Sequence, residues 1–219
     1  RLDSREALAA TRRTEGGVAA HSSTPALGRN AILAALAELE SDGAIGIFAL
    51  DGGTAVNVVP DRCEIGLAKR GAGEACKEPV FAAAPLREFA TAWRHFEASL
   101  GARRDPDFDP DRTVASLGRA WLEGDRALFR FDVRPIPGED PELLVEPLRA
   151  AAKIASVRAN PPLAMSRDSK LVRAALDAQR SVGLEARLAT KATCTEAGLL
   201  SHAGLEAIVL GPGPSVGNV

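Results

Sequence analysis

His21-Ser22-Ser23 is the part of this sequence whose residue types point most directly to chemistry. The run continues through Pro25 and Gly28 to Asn30, which caps an apolar stretch. Proline and glycine fix a tight path into a capped helix and so hold the imidazole at a strand end on a rigid support. An imidazole held there can donate a hydrogen bond to a developing oxyanion, a strong effect in a dry site. Asn57 lies in Gly52-Gly53-Thr54-Ala55-Val56-Asn57-Val58-Val59-Pro60-Asp61, where its amide can donate to a carboxylate or carbonyl without carrying charge. Arg134 follows Phe131-Asp132-Val133 and can clamp a carboxylate bidentately, although strand, rigid turn and helix cap account for most of that segment. Glu196 falls at a helix start, where the dipole favours a carboxylate. Gly211 opens a Gly-Pro-Gly loop of the kind that shapes an active-site floor. His95 and His202 read as structural. The alternating carboxylates of Asp105 to Asp111 lack the glycine turn and final glutamate of a calcium loop.

The elements that must position these groups are legible from spacing. Ile32, Leu33, Leu36 and Leu39 follow Asn30 at helical intervals and end at Gly43. Ile45–Leu50 and Thr54–Val59 read as a hairpin around Asp51-Gly52-Gly53, with a further strand over Cys63–Ala68. Pro85 starts a helix that keeps Leu86, Phe89, Trp93, Phe96 and Leu100 on one face. Val114–Leu117 and Leu128–Val133 are strands, the second alternating Phe129, Phe131 and Val133 with Arg130, Asp132 and Arg134. A third helix begins at Asp140-Pro141, and Pro147 should shorten it. Beyond Pro161-Pro162, a helix capped by Asp168 or Ser169 precedes strands at Ala186–Ala189 and Ala207–Leu210, which flank a helix over Glu196–His202. That last pattern suggests a parallel sheet.

Composition excludes several classes. The 219 residues carry a net charge of −2 and a pI of about 6.0, so there is no basic footprint for nucleic acid. Apolar runs such as Ile208-Val209-Leu210 are too short to span a membrane. The charged N-terminus lacks a signal core. Three cysteines (Cys63, Cys76 and Cys194) without CxxC spacing suit a reducing cytoplasm rather than a disulfide framework.

Four segments together resemble the acetylornithine deacetylase, succinyl-diaminopimelate desuccinylase and aminoacylase family of zinc amidohydrolases. They are Ala20-His21-Ser22-Ser23-x-Pro25-x-x-Gly28-x-Asn30, Gly52–Cys63, Phe131–Asp140, and Cys194-Thr195-Glu196-Ala197 with Leu210–Gly213. The resemblance implies an α+β fold. Residues 17–160 would be a lid-type dimerisation domain, an antiparallel sheet with helices on one face and an atypical insertion near 66–128. Residues 161–219 would be the C-terminal part of an α/β zinc-hydrolase domain, and residues 1–16 an N-terminal remnant. The function implied is hydrolysis of the amide bond of an N-acyl amino acid, closest to acetylornithine deacetylation, in a zinc-dependent homodimer. His21 would stabilise the oxyanion in the partner subunit's active site, and Asn57 would be supplied to substrate across the dimer. Asn57, Arg134, Glu196 and Gly211 would line the substrate site. The family draws its zinc ligands from an HxD segment, a lone Asp and a Glu-Glu pair upstream, and from a histidine past Gly217-Asn218-Val219. The chain alone is therefore expected not to build the metal site, and none of its residues is assigned as a ligand. The alternative is a non-catalytic dimerisation module derived from that family. The order of the lid motifs is also unusual, as an insertion, a recombined gene or an artificial homologue would produce.

Overall fold

Asn30 does what its position asks: its side-chain oxygen accepts from the amides of Ile32 and Leu33 at 3.0 and 3.2 Å and starts helix α1, Ala31–Ser41. The computed structural model describes residues 8–161, 163, 165–190 and 195–211. The strands within them are β1 (Leu8–Gly16), β2 (Ala20–His21), β3 (Gly46–Gly52), β4 (Val58–Val59), β5 (Arg62–Arg70), β6 (Phe81–Ala82), β7 (Val114–Glu123) and β8 (Arg126–Arg134). The remaining α-helices are α2 (Ala84–Ser99), α3 (Pro141–Val145), α4 (Lys170–Ser181) and α5 (Glu196–His202).

The main sheet is antiparallel in the order β1-β5-β3-β7-β8, with β6 added beside β3, and β2 pairs with β4 in a separate ladder. One face is covered by α1 and α2. On α2 the period read from Leu86, Phe89, Trp93 and Phe96 is the buried face. Phe89 stacks on Phe129 with centroids 4.0 Å apart, and Trp93 meets Phe131 edge-on at 5.3 Å. The aromatics alternating along β8 are thus the floor beneath α2, and Leu36, Ile65, Leu67 and Leu117 complete the core. Arg13 of β1 pairs with Glu38 and Asp42, and Lys69 of β5 pairs with Asp42, which pins α1 to the sheet edge. The α+β architecture with helices on one face is therefore present.

Several local expectations change. No hairpin forms at Asp51-Gly52-Gly53: Val58–Val59 pairs with β2, and β3 pairs with β5 through Gly52↔Cys63. The physical reason is that β3 has no free edge near the glycines. β5 lies on one side, and β7 on the other at Asp51↔Trp121 and Gly52↔Ala120, the two paired positions of that seam. Gly53, at φ 72°, carries the chain out across β7, where a Cβ would stand 2.0 Å from the Gly118 carbonyl oxygen. Residues 8–16, set apart above as a remnant, form the edge strand β1, paired with β5 along its whole length. The stretch 66–128, read as an insertion, supplies the end of β5, all of β6, α2 and β7, and the start of β8.

Pro147 does shorten the third helix. α3 ends at Val145 and passes into a 3₁₀ turn over Glu146–Ala150, whose Leu148 is buried. Ser169 caps α4 through the amide of Val172 at 3.2 Å. The strands expected at Ala186–Ala189 and Ala207–Leu210 are absent: both segments are irregular. Leu188, Val209 and Leu210 are exposed there, so the apolar run has no sheet face to enter. Among the described residues beyond Arg134 no strand occurs, and the parallel sheet inferred for that region is not formed. Cys194, Pro212 and Gly213 of the fourth motif lie outside the described residues.

Candidate active site

The segment from Gly17 to Asn30 is a loop folded back on itself, and glycine is required where its two limbs touch. Val18 and Arg29 exchange backbone hydrogen bonds at 2.9 Å each. A Cβ at Gly17 would lie 2.2 Å from the Arg29 carbonyl oxygen, and one at Gly28 would lie 2.7 Å from that of Val18. This clasp holds β2 against β4, with His21 opposite Val58. The Ser22 amide donates to the carbonyl of Asn57 at 3.0 Å, so the two expected site residues become neighbours.

The imidazole is oriented by Ser23. The Ser23 backbone amide donates to His21 Nδ1 at 3.1 Å, and the Ser23 hydroxyl lies 2.8 Å from the same nitrogen. A nitrogen that accepts an N–H carries no proton itself, so the neutral ring bears its proton on Nε2. Nε2 is then the donor, as an oxyanion-stabilising role requires.

Arg134 arrives from β8, on the face opposite Phe131 and Val133. Its Nε donates to Asp132 Oδ2 at 2.7 Å, and the same oxygen accepts the hydroxyl of the fully buried Ser22 at 2.5 Å. Arg134 Nη2 also lies 3.4 Å from Ser22 Oγ. Three segments distant in sequence (20–23, 57–59 and 132–134) are thus gathered at one end of the sheet. Ser116, directly across from Asp132 on β7, has a buried hydroxyl without a hydrogen-bond partner among the described residues. Sequence reasoning missed the linking roles of Ser22 and Asp132. Alternation along β8 marked Asp132 as polar, but nothing local said what it faces.

Asn57 itself is exposed in a turn rather than within a strand. Glu196 stands exposed at the start of α5, and that helix lies against Pro161 and Leu163, where Gly198 leaves space for the Pro161 carbonyl. Gly211 is exposed at the end of the described chain. Neither belongs to the hydrogen-bonded group around Ser22. A zinc site needs three or more converging nitrogen, sulfur or oxygen ligands. No group of three His, Cys, Asp or Glu side chains able to hold a metal occurs among the described residues, which therefore do not fit the zinc that the resemblance implies. No described helix is long and apolar enough to cross a membrane.

Part of the chain matches a family profile described as a peptidase dimerisation domain. Residues 7–81 match it. That span runs from the start of β1 to β6, and so holds α1, the clasp and both His21 and Asn57. The fold of the chain resembles that of the solved structure of an aminoacylhistidine dipeptidase from Vibrio alginolyticus. That likeness has a TM-score of 0.66 at 15% identity over 90% of this chain and 49% of that one. A Staphylococcus aureus tripeptidase is 17% identical over 91% of this chain and 43% of its own, with a TM-score of 0.25, too low to bear on the fold. The chain spans about half the length of the dipeptidase it resembles. No curated protein sequence matches it.

Proposed function

We propose that this chain is the dimer-forming part of a metal-dependent amide hydrolase, acting on N-acyl amino acids or short peptides that carry a free carboxylate. The observation that carries this reading is the assembly of His21, Asn57 and Arg134 at one sheet end, within and beside a peptidase dimerisation domain. The chain's own residues bind and orient. Arg134 receives the substrate carboxylate, the Asn57 amide donates to a carbonyl or carboxylate, and His21 Nε2–H donates to the oxygen that becomes negative as the amide is attacked. The metal centre belongs to residues outside this set, and acetylornithine deacetylation is the nearest specific case. Glu196 and Gly211 would join the substrate site from the C-terminal part, residues 161–219. The location proposed is cytoplasmic, on the cysteine usage.

Three measurements test this. Light scattering on the purified chain should return a homodimer; a monomer at micromolar concentration would contradict it. In the protein that carries the metal ligands, His21→Ala should lower kcat on N-acetyl amino acids by on the order of 10²–10³-fold with little change in KM, the loss expected for one oxyanion donor. Unchanged kcat would remove His21 from the reaction. The 219-residue chain by itself should not turn over N-acetylornithine; turnover with stoichiometric zinc would refute that.

A further inference from the structure

β7 carries one extra residue where it passes the site. Leu117 stands opposite Phe131 and Arg119 opposite Arg130, so Gly118 has no partner on β8. Residues two apart on a regular strand share a face, and a bulge cancels that rule. Leu117 therefore enters the core with Phe131, while Arg119 turns to the face away from α1 and α2, its side chain 32% exposed.

Each residue of the bulge holds a different piece of the site. The Leu117 carbonyl accepts the side-chain amide of Asn30 at 2.8 Å, which fixes the end of the clasp that carries His21. Gly118 seats the backbone of Val56, the neighbour of Asn57. A Cβ at Gly118 would stand 2.3 Å from the Val56 carbonyl oxygen and 2.7 Å from its Cα. Arg119 Nη1 donates to the carbonyls of Gly52 and Gly53 at 3.0 and 2.5 Å and pairs with Asp51 at 2.5 Å. The segment that carries Asn57 is thus tied to the bulge where it leaves β3 and again at Val56. The Ser22 amide, which donates to the Asn57 carbonyl, passes the same constraint to His21.

We propose that Arg119 is a positioning residue: turned outward by the bulge at Gly118, it fixes the path of residues 53–57 and so the place of Asn57 beside His21. This rests on the reading of Asn57 and His21 given above. Arg119 acts only through that segment and meets no substrate.

Amide hydrogen exchange on the full chain reads the segment directly. Arg119→Ala should speed exchange of the Ser22 amide by about tenfold relative to the amides of Ile65 and Leu67 in β5, the loss expected for one hydrogen bond to a charged group. Arg130→Ala removes the other guanidinium over the Trp121 ring, at 5.4 Å, and should leave that ratio at its wild-type value. Gly118→Ala should raise the ratio as Arg119→Ala does. Should Gly118→Ala fail to fold, Arg119→Ala, which leaves the glycine in place, carries the test. In the protein that carries the metal ligands, Asn57→Ala should raise KM for an N-acetyl amino acid by about tenfold. Arg119→Ala should raise KM by a comparable factor, and by nothing further in the Asn57→Ala background. An unchanged KM in Asn57→Ala would overturn the functional reading of Asn57 and this inference with it. The positioning role alone is overturned if Asn57→Ala behaves as expected but Arg119→Ala leaves KM unchanged or multiplies the Asn57→Ala effect. It is overturned equally if Ser22 exchange only keeps pace with the β5 amides, or if Arg130→Ala acts as Arg119→Ala does.

Discussion

The sheet body and the C-terminal segment of this chain both carry many apolar residues, to opposite effect. In the body, Ile32, Leu39, Leu67, Trp93, Phe96 and Leu117 are sealed between the strands and two helices. Beyond residue 180, Val182, Leu184, Leu188, Leu199, Leu200, Leu205, Val209 and Leu210 all stand exposed, Val182 at 71%. Both regions have capped helices of normal geometry. α4 opens on the Ser169 cap as α1 opens on Asn30, yet it buries only Val172 where α1 buries five residues. Helix formation is thus a local matter, answered by caps and spacing. Burial depends on a partner surface, and the sheet supplies one only to the body.

Removing a core ring should separate the regions most sharply. Trp93→Ala strips contacts with Phe89, Phe96 and Phe131 and should cost about 3–5 kcal/mol in denaturant unfolding. Leu184→Ala, in the exposed segment, should change stability by less than about 0.5 kcal/mol. Equal losses would mean that the C-terminal segment is packed as tightly as the body.

The cysteines sharpen the same contrast through pH. Burial, reinforced by Asp51, pushes the Cys63 thiol from 9.0 up to about 12. Its folded value is raised above its unfolded one, so this group's contribution is full below about pH 9 and is lost as pH rises towards about 12. Unfolding midpoints should fall over that window in wild type and fall less in Cys63→Ala, where this buried thiol is no longer there to ionise on unfolding. Alkylation of the native protein at pH 8 should modify the partly exposed Cys76 well before Cys63. Labelling of Cys63 at the same rate would show that the body opens as readily as a loop.

How far these features were readable follows the range of the forces involved. The face of α2, the Asn30 cap and the end of α3 were legible because each depends on residues within a few positions. The hairpin at Gly52-Gly53 was misread because turn chemistry is local, while the pairing of β3 between β5 and β7 is not. His21, Asn57 and Arg134 were each marked by residue type, but their convergence depends on β2 finding β4 and on Ser22 reaching Asp132, 110 positions away. The final strands had an adequate apolar pattern and no strand beside them to pair with. A further small effect belongs to the site's margin. Ser116→Ala removes a buried hydroxyl without a partner and should leave stability unchanged or raise it by about 1 kcal/mol, measured by thermal unfolding.

The seam between β3 and β7, paired at Asp51↔Trp121 and Gly52↔Ala120, joins two parts of the sheet that are distant in sequence. The hairpin of β7 and β8 closes through a tight local turn at Gly124, whereas β1, β5 and β3 draw on the first seventy residues. Each half draws on its own neighbourhood, whereas the seam joins Asp51 to Trp121 and Gly52 to Ala120 and carries the larger loop-closure cost. Ser22 lies on one side of that division and Asp132 on the other. The Ser22–Asp132 hydrogen bond therefore depends on that seam, which brings the serine beside His21 to the carboxylate that holds Arg134.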